Sequence, residues 1–141
     1  MATTPISLNL NDSTLDRLAA RERETGQTRE ALAEQYLEEG LRVERHPGIF
    51  FQDGPSGRRP RLISGPDVWE LVAEIDGLSQ NDDAEIQAVG ARMHIPERWV
   101  RSAISYYAEF RDEIDAWIEN NRRIGEEYRR QWQAARGLPA Q

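Results

Sequence analysis

Apolar and polar residues alternate near the start of the chain: Ile6, Leu8 and Leu10 are separated by Ser7 and Asn9. A period of two predicts a short strand with one buried face. Asn11, Asp12 and Ser13 then offer N-cap oxygens, and Leu15, Leu18 and Ala19 recur at helical spacing. Gly26 is placed to end that helix in the left-handed conformation. Thr28 is placed to cap a second helix, in which Ala31, Leu32, Gln35, Tyr36 and Leu37 recur before Gly40 and Leu41. The strand has no partner within this segment, and a lone strand exposes its backbone donors and acceptors. A second copy solves the problem: two strands pair antiparallel about a dyad and four helices close over their apolar faces.

From His46 the pattern changes. The stretch IFFQDGPSGRRPRLI places two β-rich runs around Asp53-Gly54-Pro55-Ser56-Gly57, which predicts a hairpin with a five-residue loop. Pro66 and Asp67 open a helix containing Val68, Trp69, Leu71, Val72 and Ile75. Residues Asn81 to Asp83 cap another, with Ile86, Val89 and Gly90. Arg92 to Ile95 make a turn, and Pro96 suits the first turn of the next helix, whose inner face carries Trp99, Val100, Ala103, Ile104 and Tyr107. A charged helix follows from about Arg111 to Gln133, with Ile114, Trp117, Ile118, Ile124, Tyr128 and Trp132 as its apolar residues. Glu119–Arg123 and Glu126–Arg130 stand four apart in the favourable order. Helix, short turn, helix is the helix-turn-helix pattern, and the hairpin is placed to act as its wing.

The expected fold is therefore mostly α with short β. Residues 1–45 are expected to form a strand-helix-helix dimerisation unit. Residues 46–141 form a winged helix-turn-helix-like unit with a long C-terminal helix.

Composition narrows the function. The 141 residues are 38% apolar and 30% charged, which suits small modules or an oligomer better than one thick core. There is no cysteine, so neither a disulfide framework nor a thiolate metal site is available. No apolar run approaches the roughly 20 residues of a membrane span, and the N-terminus lacks the pattern of a signal peptide. A cytoplasmic protein without a membrane partner is expected. All 18 basic residues are arginine, which bonds phosphate or guanine bidentately. The net charge is −7, so affinity for nucleic acid has to come from a localised face.

The order strand, helix, helix over residues 3 to 44, with its polar cap and Gly-x-Thr break, resembles the ribbon-helix-helix family of the Arc, MetJ and CopG type. Residues 46 to 122 resemble a second family. HPGIFFQDGPSGRRPRL, GPDVWELV and SYYAEFRDEIDAWIENNR are similar to a small bacterial winged-helix family of VapB-type antitoxins, found beside PIN-like ribonuclease toxins. Its most specific part here is the tyrosine pair followed by Glu-Ile-Asp. Members often carry a helix-breaking proline after the tyrosines, where this chain has Phe110-Arg111, and Ser64 to Asp67 replace another of the family's stretches. The two resemblances together imply the antitoxin of a toxin–antitoxin pair, binding operator DNA as a dimer and blocking a ribonuclease toxin through its C-terminal part. A ribbon-helix-helix regulator without a toxin is the alternative.

Within that frame Ser7 and Asn9, on the polar face of the strand, are candidates to read base edges, with Thr4 or Pro5 at the strand's edge. The N–H groups that follow Thr28, with the charge of Arg29, are placed to hold a DNA phosphate, or Thr28 is simply a cap. Arg58 and Arg59, with Arg61, form the densest basic cluster and either cross a DNA backbone or minor groove, pair with acids of a partner, or form a solvated strand face. Arg98 and Arg101 fall early on the second helix of the helix-turn-helix, near Asp82, Asp83 and Glu85, which can pair with them. Trp117, Ile118, Tyr128 and Trp132 span more than one turn of the helix, so some of them are candidates for docking the toxin. His46 and His94 are the only histidines and stand far apart. Neither a metal site, a cofactor nor an enzymatic constellation is expected, and His46 reads as a turn residue bonded to backbone.

Overall fold

A computed structural model describes residues 2–63, 65–75 and 82–137. Asn81, which the sequence assigns to a cap, and Ser64 lie outside the described residues. Helices account for 67% of the described residues, beside one short two-stranded antiparallel sheet. The chain divides into two compact units, one up to Arg42 and one from Val43.

The first unit holds α1 (Asp12–Thr25) and most of α2 (Arg29–Arg45). Asn11 caps α1, its Oδ1 accepting from the Thr14 N–H at 2.8 Å. Gly26 ends the helix at φ 75°, where a side chain would be strained. Thr28 caps α2, its Oγ1 accepting from Ala31 N–H at 3.1 Å. Arg21 donates from Nε to the Tyr36 hydroxyl at 2.9 Å and so joins the two helices. Leu32 is fully buried, whereas Leu37 and Leu41, expected on the same inner face, are exposed.

Residues 2–11 form no hydrogen-bonded strand in this single chain. Ile6, Leu8 and Leu10 are 73%, 53% and 38% exposed, so the apolar side of the expected strand is uncovered. The physical reason is the one the pattern raised: a strand needs a ladder partner, and one copy of this unit supplies none.

The second unit begins with β1 (Ile49–Gln52) and β2 (Arg59–Leu62), paired in the register Ile49 with Leu62 and Gln52 with Arg59. The loop thus has six residues, 53 to 58, rather than five, because Arg58 falls outside the ladder. Four helices follow: α3 (Val68–Glu74), α4 (Asp83–Met93), α5 (Glu97–Glu109) and α6 (Arg111–Ala135). Helix α5 is central, packing on α3, α4 and α6, while α3 also meets β2. Asp82 caps α4 through the Glu85 N–H at 3.1 Å. Pro96 sits at the N-cap of α5, one residue before the first turn. Gly48 is at φ 92°, and a Cβ there would run into the Trp99 indole. Only glycine lets the chain enter β1 this closely.

The core joins Ile49 and Leu62 of the hairpin to Val68, Leu71, Ile86, Val89, Val100, Ala103, Ile104 and Ile114 of the helices. The largest fully buried side chain is Tyr106. The α5 period points to Tyr107 instead, which is only half-buried. The correction comes from tertiary structure: the Tyr106 ring is met by His46, Phe51 and Phe110. At the elbow where α5 passes into α6, the two tyrosines hold the acids that follow. Tyr106 OH donates to Glu113 at 3.3 Å and Tyr107 OH to Asp115 at 2.7 Å, with Ile114 fully buried between them. Tyr106 also packs against Phe110, the ring centroids 4.7 Å apart and the planes tilted by 42°. The Tyr-Tyr and Glu-Ile-Asp elements are therefore two halves of one joint.

On α6 the ion pairs differ from those expected. Arg122 takes both Glu119, at 2.7 Å, and Glu126, at 2.5 Å, while Arg130 pairs with Glu127 at 2.6 Å. Arg123 instead donates to Asn120 at 2.9 Å. The i,i+3 geometry competes equally with i,i+4 on a helix surface.

Two outcomes follow from the elbow. Tyr106→Ala leaves a large buried void and costs about 3–5 kcal/mol in urea unfolding. Burial, and then the Asp115 carboxylate, hold the Tyr107 hydroxyl above the usual tyrosine range. Its contribution is complete below pH about 10 and falls as the pH rises past that value, because the unfolded chain loses the proton first. A denaturation series against pH shows this decline in the wild type and a flatter one in Tyr107→Phe.

Candidate nucleic-acid and partner interfaces

The strand residues Ser7 and Asn9 are exposed in the first unit, as are Thr28 and Arg29. The start of α2 is partly occupied from within. The Arg29 N–H donates to Glu22 Oε2 at 2.8 Å, and its guanidinium lies 3.6 Å from the same carboxylate. Glu22 thus stands where a phosphate oxygen would be held. With Thr28 Oγ1 on Ala31, two of the first donors of α2 already have partners.

The arginines of the hairpin face inward in function if not in position. Asp67, buried, is the N-cap residue of α3 yet makes no cap hydrogen bond. Its carboxylate instead receives the Arg59 Nε–H and the Trp69 Nε1–H, the latter at 3.1 Å. Arg61 Nε lies 3.0 Å from the other oxygen in ionic contact, without a hydrogen bond between the two atoms. Arg61 also donates to Gln52 at 2.6 Å and to the Gly65 carbonyl at 3.1 Å. A buried carboxylate needs this much compensation. The network therefore staples the hairpin to α3. Arg58 pairs with Asp53 at 3.2 Å. The hairpin tip lies against α6: Ser56 and Trp117 line one open groove with Glu113, Ala116 and Asn120, and Gly57 faces the Trp117 ring.

On α5, Arg101 is held by Asp83 at 2.6 Å and Glu97 at 2.7 Å. These two hydrogen-bonded acids raise its pKa further above its ordinary value. Arg98 lies over the Trp99 ring, 4.8 Å from its centroid. Both arginines of the expected recognition helix thus have neighbours within the unit.

His46 is buried and bonds to side chains rather than to backbone through its ring. Nε2 is 2.7 Å from Glu109 and Nδ1 is 3.1 Å from Ser105 Oγ, both on α5. The ring meets Tyr106 and Phe110 edge-on. Its residue follows the end of α2 directly, so it anchors the entry to the second unit onto the elbow. Its backbone carbonyl accepts from the Ile49 N–H at 3.2 Å, which is the part of the turn reading that stands.

The four aromatic and aliphatic candidates on α6 divide. Trp117 and Ile118 are half-buried, and Ile118 packs against the core. Tyr128 and Trp132 are exposed. Ile124, which the sequence shows as one more apolar residue of the helix, belongs with them; spacing alone cannot tell which part of a long amphipathic face outruns the core. Among the described residues no group of three or more His, Cys, Asp or Glu side chains is arranged to hold a metal, and no helix is long and apolar enough to cross a membrane.

Compared with protein-family models, with curated proteins and with solved structures, the chain has no significant match.

The staple differs in stability from the exposed ion pairs of α6. Asp67→Ala strands two part-buried guanidinium groups and lowers the unfolding free energy by about 2–4 kcal/mol. Arg130→Ala, whose ion pair with Glu127 is exposed on both sides, leaves it nearly unchanged. Thermal or urea unfolding of the two variants checks the contrast.

Proposed function

We propose that the chain is a DNA-binding antitoxin that dimerises through its first unit and engages a ribonuclease toxin through its second. The observation that carries the DNA-binding half is the uncovered alternation of Ile6, Leu8 and Leu10 ahead of two capped helices. Three large apolar residues at period two, with polar Ser7 and Asn9 between them, suit a strand that pairs with its own copy. Pairing buries the apolar side and turns the polar side of a two-stranded ribbon outward, where it fits the major groove of operator DNA. The exposed Leu37 and Leu41 of α2 supply further apolar surface for a second copy. The reading implies a homodimer, or a higher even-numbered oligomer, as the DNA-binding species.

The winged-helix-like part fits a scaffold better than a second reader of DNA. Arg59, Arg61 and Arg101 have acidic partners within the unit, so freeing them for phosphate means breaking those pairs. The toxin-binding half of the proposal draws on the resemblance of residues 46 to 122 and on the exposed end of α6.

Fluorescence anisotropy against DNA from upstream of the chain's own gene, with a scrambled duplex as control, tests the reading at physiological salt. Binding to the upstream DNA is expected to be at least about tenfold tighter. Ser7→Ala with Asn9→Ala abolishes the preference while sedimentation still reports the dimer. Leu8→Glu breaks the dimer and DNA binding together. Equal affinity of the wild type for both duplexes refutes the DNA-binding half.

A further inference from the structure

The His46 ring is buried, and both of its nitrogens are engaged. Nε2 stands 2.7 Å from Glu109 Oε2, and Nδ1 stands 3.1 Å from Ser105 Oγ. A carboxylate only accepts, so in the neutral imidazole the hydrogen sits on Nε2 and Nδ1 keeps its lone pair. The Ser105 hydroxyl then donates to Nδ1. Hydroxyl, imidazole and carboxylate follow one another in hydrogen-bond contact, which is the relation of nucleophile, general base and orienting group. The two ring nitrogens stand in the reverse of their places in the serine-protease triad. The chemistry asks only that one accept and the other be held.

The surroundings supply the other parts of an acyl-transfer site. Ser105 and Glu109 stand four apart on α5, so one turn of helix presents both to the ring. Tyr106 and Phe110 meet the imidazole edge-on and keep it from turning away. Ser105 is exposed whereas His46 is buried, so the hydroxyl rather than the base is open to a reactant. A small open cavity of about 130 Å³ is lined by Ser105, Arg101, Ile86 and Ile104. Arg101 stands four residues before Ser105. Asp83 and Glu97 hold its Nε and Nη2, and its Nη1 makes no hydrogen bond among the described residues. That nitrogen is a donor held ready for an oxyanion. The two isoleucines suit a short apolar acyl chain.

We infer that Ser105 is a nucleophile that takes a short acyl group from an ester, with His46 as its general base, Glu109 as the residue that positions the base, and Arg101 as the oxyanion donor. Ser105 Oγ bonds to the ester carbonyl carbon as its proton passes to His46 Nδ1. The carbon–oxygen bond to the alcohol breaks, and the alcohol leaves with that proton. Water then attacks the acyl-serine and gives a proton to Nδ1. The Ser105 oxygen takes that proton back as the carboxylic acid is released. This activity is independent of operator and toxin binding.

The full-length protein and p-nitrophenyl acetate test the inference. The chain has neither lysine nor cysteine, so few other side chains compete for the acetyl group. Mass spectrometry is expected to place one acetyl group on Ser105, with p-nitrophenolate released in step. Ser105→Ala removes the label. His46→Asn slows labelling about 100-fold or more, and Arg101→Ala about tenfold or more, with helicity by circular dichroism unchanged. Glu109→Gln, which keeps an acceptor for the Nε2–H, retains more of the rate than Glu109→Ala at the same melting temperature. The urea-unfolded wild type, which has every side chain but none of the contacts, releases p-nitrophenolate no faster than unfolded Ser105→Ala. Acetyl groups on other residues in place of Ser105 overturn the inference, as does release no faster than in buffer. So does equal labelling of Ser105 in the folded and unfolded chains, or a folded His46→Asn that labels at the wild-type rate.

Discussion

The second unit depends on one joint, the turn from α5 into α6 at Phe110. Tyr106 fills the centre of the joint and contacts the rings of Phe110, Phe51 and His46. Removing a side chain from such a position costs transfer free energy and also leaves a cavity, because the neighbours relax only in part. The hydroxyls of Tyr106 and Tyr107 then select the direction of α6, since each reaches a carboxylate one turn into the next helix. A helix break without proline has to be held by something, and here two phenol–carboxylate bonds and the buried Ile114 hold it. The direction of α6 matters because it decides where the apolar face of the helix leaves the core.

The arginine-only basic inventory takes on meaning through the same structure. Several guanidinium groups of the second unit are used as internal braces: Arg59 and Arg61 on Asp67, Arg101 on Asp83 and Glu97. Arginine suits this work because its fork can serve several acceptors at once, as Arg61 does for Gln52, Gly65 and Asp67. A basic cluster in the sequence is therefore no guide to a basic surface. On α6 too arginines meet acids of their own helix, Arg122 with Glu119 and Glu126 and Arg130 with Glu127.

Much of the architecture was legible from periodicity and caps. The helical segments, the hairpin, and the capping roles of Asn11, Gly26 and Thr28 depend on neighbours a few residues away, which is the range that sequence pattern reports. What was illegible is long-range and polar. His46 finds Ser105 and Glu109 across 59 and 63 residues. Asp67 finds Arg59 from the far side of a turn, although its position suggested a cap. Tyr106 rather than Tyr107 is the buried one because His46, Phe51 and Phe110 meet its ring. Of the candidate interface residues, Trp117 and Ile118 could not be separated from Tyr128 and Trp132 by spacing. All four lie within about 120° of helical phase, and only the extent of the core divides them.

The two exposed apolar surfaces answer to different constraints, and this bears on how one chain could serve two partners. The alternation at residues 6 to 10 offers unpaired backbone as well as apolar side chains, so its natural complement is another strand, and an identical strand satisfies both at once. The row on α6 has its backbone already paired within the helix. It offers only side chains, which make no demand for a matching strand. His46, which fixes the residue after α2 onto the α5–α6 elbow, ensures that the chain enters the second unit at the joint that sets the direction of that face.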